Sequence, residues 1–123
     1  MGSRQHQVVS TDRSTARERQ IIDVLMALRD GEVTTYGDVA EVAGHPEQAR
    51  LVGRILATTD AGVPWWRVVN AAGRLVASDP VLQSQLLRDE GVVIDDRRVT
   101  EAPLGRFSRS VPRSVTRSRR SDP

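Results

Sequence analysis

The two tryptophans of the chain, Trp65 and Trp66, are adjacent and directly follow Pro64. Proline fixes its own φ and biases Val63 toward an extended conformation. Two neighbouring indoles cannot both point into one core, and in an extended segment successive side chains project to opposite sides. We therefore expect one ring to pack inward and the other to line a surface or a cavity. An aromatic wall of this kind is a common way to hold a nucleobase removed from its stack.

The residue inventory excludes several kinds of chemistry. Among 123 residues there is no cysteine, which removes disulfides, thiolate catalysis and cysteine-ligated zinc. The two histidines, His6 and His45, have no partner at metal-ligand spacing. We expect no metal and no cofactor. The length indicates one small domain, and no run approaches the roughly 20 apolar residues of a membrane span. With no apolar signal-peptide centre near residue 1, the expected location is the cytoplasm.

Charge is distributed unevenly along the chain. Residues 1–101 carry 12 Arg against 15 Asp plus Glu, whereas residues 102–123 carry 6 Arg against one Asp. An acidic body is not typical of a nonspecific DNA coat, so nucleic-acid contacts by the body must come from a few placed arginines. The tail arginines are either solvated or ordered on DNA; they are Arg106, Arg109, Arg113, Arg117, Arg119 and Arg120.

The first periodic segment predicts a scaffold helix. Thr15 and Glu18 have the spacing of a capping box, and Gly31 supplies a stop. Between them, apolar residues recur at helical spacing: Ile21, Val24, Leu25 and Leu28.

Two short helices joined by a glycine-containing turn are predicted next, over residues 36–43 and from Pro46 onward. Thr35 can cap the first helix, and Pro46 suits the first turn of the second. The apolar stripe of the second helix consists of Ala49, Val52, Ile55 and Leu56. Arg50 and Arg54 then share one outward face. The pattern is that of a helix-turn-helix, although many helical hairpins bind nothing.

The remaining segments are predicted to complete an α+β, mainly helical domain over residues 14–101. A turn at 70–73 precedes a strand at 74–77, and Asp79-Pro80 starts a helix that stops at Gly91. Residues 92–99 predict a small hairpin or wing. Residues 1–13 are expected to form a flexible lead, and 102–123 a disordered Ser/Arg-rich tail.

Residues 64–69, Pro-Trp-Trp-Arg-Val-Val, resemble the Pro-Cys-His-Arg-Val active-site signature of O6-alkylguanine-DNA alkyltransferases. Trp65 takes the position of the alkyl-accepting cysteine, which is typical of alkyltransferase-like proteins that transfer nothing. Trp66 departs from the usual form, which keeps the histidine. Segments 35–40 and 44–53 resemble the DNA-reading unit of the family in order and spacing. The resemblance covers residues 15–99 and implies a small winged-helix domain of the alkyltransferase C-terminal type.

For DNA contact, the resemblance implies that Arg50 enters the base stack through the minor groove and fills the space of the flipped nucleotide. A planar guanidinium suits this role. It implies that Tyr36 presses on the backbone beside the target, and that Gly53 permits close approach. Arg54 stands where a small residue is usual. The predicted DNA-binding set is Arg50, Tyr36, Gly53, Thr35, Ala49 and Arg54. Structural alternatives are a solvated Arg50, a Tyr36 packed between helices and a Gly53 at a helix crossing.

The predicted alkylguanine pocket has Trp65 as its wall and comprises Trp65, Pro64, Trp66, Arg67, Val68 and Ser78. Alternatively, Trp65 is a core anchor, Trp66 packs against the helix at 80–90, and Arg67 bonds loop carbonyls. Glu90 resembles the acid that orients the histidine of the enzyme, and without that histidine it is expected only to satisfy backbone groups.

The resulting hypothesis is a monomeric, non-enzymatic sensor. It binds duplex DNA containing O6-alkylguanine, flips the base, and flags it for nucleotide excision repair proteins, without a membrane partner. The alternatives are a winged-helix regulatory module without lesion specificity, and a residual enzyme that uses Glu90 or Asp89 as an acid or base. The sequence supplies no nucleophile for the latter.

Overall fold

A computed structural model describes residues 16–108 of the protein. Within this range four helices are present: α1 (residues 16–26), α2 (Tyr36–Val42), α3 (Ala49–Thr58) and α4 (Pro80–Asp89). A single 3-10 turn spans Trp65–Arg67. The strands are β1 (Glu32–Thr35), β2 (Val68–Val69), β3 (Val93–Asp95), β4 (Arg98–Glu101) and β5 (Leu104–Gly105). The predicted α+β, mainly helical fold is confirmed.

The strands form two small sheets. In the first, β1 lies between β2 and β5 and pairs with both in parallel, with Thr35 opposite Val69 and Val33 opposite Gly105. In the second, β3 and β4 form an antiparallel hairpin whose turn, Asp96-Arg97, has positive φ at both residues. The hairpin predicted over residues 92–99 is therefore present.

The parallel sheet separates two apolar cores. Strand residues alternate between its faces, so that Val68 faces the first core and Val69 the second. The first core lies under α1, α2 and α3 and contains Ile21, Leu25, Val39, Ala40, Leu51, Val52, Ile55, Val63 and Val68. The second lies under α4 and the hairpin and contains Val33, Val69, Leu75, Leu87, Val92, Ile94, Val99 and Ala102.

The predicted helix signals are confirmed at two N-termini. The Thr35 hydroxyl accepts from the Asp38 amide at 3.1 Å, and the Asp79 carboxylate accepts from the Leu82 amide at 3.1 Å. The glycine stop after α4 is also present, since Gly91 has φ +89°. Thr15, proposed for the first cap, lies outside the described residues.

Two predicted helix bounds are wrong. Helix α3 begins at Ala49, not at Pro46, because residues 43–48 are used for the reversal between α2 and α3. There the His45 amide donates to the Ala40 carbonyl and the Gln48 amide to the His45 carbonyl. The α1 helix ends at residue 26, before Gly31, whose φ of +81° serves the turn into β1 instead.

The expected strand at 74–77 is also absent. Only Arg74 forms a bridge, to Arg98, and the Leu75 amide donates to the Arg97 carbonyl. Strand β2 is only two residues long, so residues 74–77 find little of it to pair with: the Asn70 amide donates to the Arg74 carbonyl. The chain after Arg74 then runs beside the hairpin instead. Nor is the tryptophan segment extended at its start, because Trp65–Arg67 forms a 3-10 turn.

The predicted start of a disordered tail at residue 102 is too early. Residues 104–105 pair with β1, Ala102 is buried, and Arg106 forms an ion pair with Asp38 at 3.0 Å. Composition missed this because one short strand requires few apolar residues. Gly105 is essential to it, since a Cβ there would lie 2.4 Å from the Val33 carbonyl oxygen. The predicted lead at 1–13 and residues 109–123 lie outside the described range.

No helix within residues 16–108 is long and apolar enough to cross a membrane.

Candidate nucleic-acid interface

A cavity of about 560 Å³ opens between the helix pair and the segment before α4. Helices α2 and α3 contribute Tyr36, Gly53, Leu56 and Ala57 to its lining. Trp65 and residues 76–79 form the remaining wall. The volume lies within the range of small-molecule sites, about 300–1,000 Å³. The Trp65 ring is partly exposed, so the cavity is open to a ligand with a flat face.

The two aromatic residues of this cavity flank neighbouring strands of the parallel sheet. Thr35 ends β1 and caps α2, so that Tyr36 follows directly at the strand end. Trp65 begins the turn that leads into β2. Thr34 and Thr35 pair with Val68 and Val69 in the parallel sheet, so Tyr36 follows the C-terminal end of β1, whereas Trp65 lies before the N-terminal end of β2.

One face of α3 extends from the cavity to the surface. Arg50, Gly53, Arg54 and Ala57 follow each other at spacings of three and four residues, which places them on one helix face. Gly53 and Ala57 line the cavity, and the two arginines are exposed. Within residues 16–108 neither guanidinium has a hydrogen-bond or ion-pair partner. Both are available to an external ligand, and Arg50 lies one helical turn from the cavity.

Gly53 is not required by internal packing. A Cβ built there would meet only the Tyr36 ring, at 4.0 Å, which is ordinary van der Waals contact. A glycine in a helix interior costs about 1 kcal/mol relative to alanine. Packing at a helix crossing therefore does not explain why residue 53 is a glycine. The absence of a side chain instead lets a ligand approach the surface of α3 closely.

Tyr36 is partly buried, as its structural alternative predicted, whereas its contact with the DNA backbone stays a prediction. Its ring packs against the first core and also lines the cavity. Burial raises the pKa of Tyr36 above its ordinary value, so the phenol keeps its proton at neutral pH. The hydroxyl is thus a donor suited to a phosphate or carbonyl oxygen.

On the other side of the 3-10 turn, Trp66 and Arg67 converge on Glu90. The Trp66 indole N–H donates to Glu90 Oε2 at 2.9 Å, and Arg67 Nη2 donates to the same oxygen at 2.7 Å. The Gly31 amide donates to Glu90 Oε1 at 2.8 Å. Arg67 also bonds the Leu28 carbonyl at 2.8 Å and pairs with Asp30. This set, Trp66, Arg67, Glu90, Asp30 and the Gly31 amide, is called the Glu90 network below.

Opposing effects act on the pKa values of Glu90 and Arg67 in the Glu90 network. Burial alone would raise the pKa of Glu90, but hydrogen bonds from Arg67, the Gly31 amide and Trp66 outweigh burial and hold that pKa below its usual value. The hydrogen bond to Glu90 raises the pKa of Arg67 despite its burial. The side chains of Arg67 and Glu90 are 10% and 12% exposed, so Arg67 is the charge partner of Glu90, and Glu90 is the more buried of the two carboxylates that pair with Arg67.

Gln83 is a positioning residue that sequence reasoning missed. Its side chain is fully buried, and Nε2 donates to the Trp66 carbonyl at 3.2 Å and to the Val68 carbonyl at 3.0 Å. Its Oε1 atom is buried without a partner among the described residues. The available signal was its position four residues before Leu87, on the buried face of α4. Gln83 ties the 3-10 turn to α4.

The structure brings together only part of the predicted pocket set. Trp65 and Ser78 line the cavity, and Tyr36 and Gly53, predicted for DNA contact, line it with them. Pro64, Trp66, Arg67 and Val68 are not among its lining residues. Pro64 and Val68 are buried, while Trp66 and Arg67 belong to the Glu90 network, as the structural alternatives for those two residues anticipated. The two indole rings are in edge-to-face contact, perpendicular and with 6.0 Å between centroids, but only Trp65 lines the cavity.

Within the predicted DNA-binding set, two residues are less accessible than expected. Thr35 is 4% exposed, and its hydroxyl is occupied by the cap of α2. Ala49, the first residue of α3, is partly buried. Their contribution is to place Tyr36 and Arg50. No group of three or more His, Cys, Asp or Glu residues within 16–108 could hold a metal ion.

The sequence and fold resemble those of known DNA-binding domains. The family described as 6-O-methylguanine DNA methyltransferase, DNA binding domain, matches residues 16–92. The fold matches the crystal structure of Schizosaccharomyces pombe Atl1 in complex with damaged DNA containing O6-carboxymethylguanine. That match has a TM-score of 0.58 and 30% identity, and covers 64% of this chain and 79% of that chain. A crystal structure of Mycobacterium tuberculosis OGT in complex with DNA matches with a TM-score of 0.53 and 28% identity, over 59% of this chain and 48% of that one.

The fold and cavity thus define a DNA-binding domain of the alkyltransferase type. The chain belongs to the 6-O-methylguanine DNA methyltransferase DNA-binding domain family, in which it is an alkyltransferase-like member, as predicted. A DNA base-flipping protein of Escherichia coli (strain K12) is 42% identical over 80 residues, which are 62% of this chain and 62% of that protein. Alkyltransferase-like protein 1 of S. pombe is 28% identical over 99 residues, 76% of this chain and 87% of that protein. The chain thus spans less than two thirds of the length of the E. coli relative.

Proposed function

We propose that this protein is a non-catalytic DNA damage sensor that binds duplex DNA containing O6-alkylguanine and holds the flipped base. The observation that carries the proposal is the open cavity beside the arginine-bearing face of α3, with Trp65 in its wall. The E. coli relative is named a DNA base-flipping protein, and the S. pombe structure contains damaged DNA, which supports the same function here.

In this proposal the exposed face of α3 docks in the minor groove. Gly53 permits close approach, because nothing extends from the helix there. Arg50 enters the base stack, where its planar guanidinium stacks on neighbouring bases and donates hydrogen bonds. Tyr36, at the N-terminus of α2, contacts the backbone beside the target nucleotide.

The flipped base then occupies the cavity against Trp65. Flipping costs a few kcal/mol, and stacking on an aromatic side chain returns about 1–3 kcal/mol per base. No alkyl group is transferred, because an indole is not a useful nucleophile and the chain has no cysteine.

The consequence for the cell is a persistent complex that marks the lesion. A protein that removes nothing acts by presenting the site to others, and we propose that nucleotide excision repair proteins are those partners. It would act as a monomer in the cytoplasm, on the nucleoid.

The test is a fluorescence titration of the full chain with two duplexes that differ only in guanine or O6-methylguanine at one position. The two tryptophans are the only indoles in the chain, so quenching reports on the cavity region. We expect at least tenfold tighter binding of the methylated duplex. Equal affinity would contradict lesion recognition and favour a winged-helix module without lesion specificity. Mass analysis after incubation should show unchanged protein and unchanged duplex.

A further inference from the structure

The charge of the cavity lining bears on which adducts it accepts. The lining side chains are mostly apolar or uncharged, and they include Leu56, Ala57 and Val76. Asp79 is the one charged residue among the described lining residues, and it is negative. An adduct that carried its own carboxylate would meet a like charge without a neighbouring cation in the wall.

Asp79 also occupies the position at which an anion would otherwise be stabilised. It is the N-cap of α4, where its carboxylate accepts the Leu82 amide hydrogen at 3.1 Å. The N-terminus of a helix favours negative charge through its free amides and its dipole. Since Asp79 already uses the Leu82 amide, and Pro80 at the first position has no N–H, little of this stabilisation is left for a ligand.

The cations nearest in sequence to the lining residues are Arg54, Arg67 and Arg74, and none of them lines the cavity. Arg50 and Arg54 belong to the exposed face of α3 and are not among the lining residues of the cavity. Under the proposed function they contact the duplex, so they are engaged outside the cavity when the base is inside it. Arg67 is on the other side of the 3-10 turn, paired with Glu90.

We infer that the cavity selects uncharged O6-alkyl groups and discriminates against O6-carboxymethylguanine, with Asp79 as the specificity-determining residue. This inference rests on the proposed function and adds to it a class of substrate. It differs from what the S. pombe relative accommodates, since the crystal structure of that protein contains O6-carboxymethylguanine.

The experiment measures affinities of the full chain for four duplexes of one sequence. Their variable base is guanine, O6-methylguanine, O6-carboxymethylguanine or O6-carbamoylmethylguanine. The last is the uncharged amide of nearly the same shape as the carboxymethyl adduct, so the ratio of these two affinities isolates charge. Phosphate contacts are common to all four duplexes and cancel in this ratio.

We expect the amide duplex to bind about tenfold tighter than the carboxymethyl duplex, from repulsion between the carboxylate of the adduct and that of Asp79. In Asp79→Asn the ratio should fall to about one, because asparagine is a comparable N-cap without the charge. Asp79→Ser provides a second uncharged cap should the first variant fold poorly. The matched control is Asp89→Asn, an exposed residue of α4 that lines no part of the cavity, which should keep the wild-type ratio.

Three outcomes would overturn this inference, and they separate its failure from failure of the proposed function. Binding of the carboxymethyl duplex as tightly as the amide duplex, with both preferred over guanine, would overturn this inference and leave the proposed function standing. Equal affinity for all four duplexes would overturn the proposed function and the inference together. A ratio of about ten that persists in both uncharged Asp79 variants would show that another group sets the selectivity, and would also overturn the assignment of Asp79.

Discussion

The two sides of the Trp65–Arg67 turn are built in opposite ways. On one side, Trp66 and Arg67 have their polar atoms bonded within the Glu90 network. On the other, Trp65 borders an open cavity, and the nearby arginines of α3 have no partner within the described residues. Neighbouring residues of one turn thus serve different purposes. The Glu90 network, in which the polar atoms are hydrogen-bonded, fixes the backbone of the turn. The cavity side, where the α3 arginines have no partner within the described residues, is available to a ligand.

Of the changes considered, removing the charge of Glu90 should have the largest effect on stability, because it disrupts the Glu90 network. Glu90→Gln leaves the Arg67 guanidinium largely buried without its main charge partner, which typically costs about 3–5 kcal/mol of unfolding free energy. Chemical denaturation measures this loss. The control is Asp89→Asn, where an exposed neighbouring carboxylate is changed and stability should stay within about 0.5 kcal/mol.

The same carboxylate predicts a pH dependence of stability. The pKa of Glu90 is lower in the folded state than its ordinary value of 4.5, so its contribution is complete above that value and is lost as the pH falls through the folded pKa. Unfolding free energy measured between pH 6 and pH 3 should therefore decline more steeply in the wild type than in Glu90→Gln. Parallel profiles would show that the network does not hold this carboxylate in its charged form.

Substituting each tryptophan separates the two sides directly. Trp66→Phe keeps an aromatic ring but removes the N–H donated to Glu90, which should lower stability by about 1–3 kcal/mol and change the lesion preference little. Trp65→Ala should reduce the preference for O6-methylguanine by about 1–3 kcal/mol, or roughly 5- to 150-fold. Equal effects of both substitutions on lesion preference would show that the two sides do not act separately.

Arg50→Ala should weaken binding of the methylated duplex about tenfold, because the guanidinium proposed to fill the vacated stack is lost. Arg50→Lys should recover only part of this loss, since an ammonium cannot stack as a plane. Arg88→Gln is the charge-matched control: Arg88 is at the last turn of α4, where its guanidinium donates to the Ile94 carbonyl. Equal losses in Arg88→Gln and Arg50→Ala would indicate a general effect of charge.

Gly53→Ala should have the smallest effects, and these have opposite signs. Stability should rise by up to about 1 kcal/mol, because alanine favours the helix and its Cβ meets Tyr36 at an ordinary distance. Duplex affinity should fall a few-fold, because the added methyl group separates α3 from the groove. Thermal unfolding and titration on the same preparation measure both. A variant that gains stability and keeps full affinity would remove the close-approach role.

The sequence predicted residues whose role follows from local rules. The caps at Thr35 and Asp79, the face of α3 and the hairpin predicted over residues 92–99 each depend on short-range patterns. The resemblance supplied the family and the placement of Trp65. Sequence could not give Gln83 as the link between the 3-10 turn and α4, nor β5, because both depend on contacts between distant segments. The sequence analysis also assigned Trp66 and Arg67 to the pocket, which they do not line. A linear motif does not show on which side of a turn a side chain lies.

The pairing of Thr35 with Val69 has a consequence for how this molecule can diversify. Its hydrogen bonds belong to the main chain, so the pairing of β1, which leads into Tyr36, with β2 does not depend on which side chains line the cavity. Val76 and Ser78, which belong to neither strand, can be replaced without breaking this pairing, whereas Asp79 is also held by its role as the N-cap of α4. Substitutions at such lining positions change the shape and polarity of the cavity while the parallel sheet stays the same.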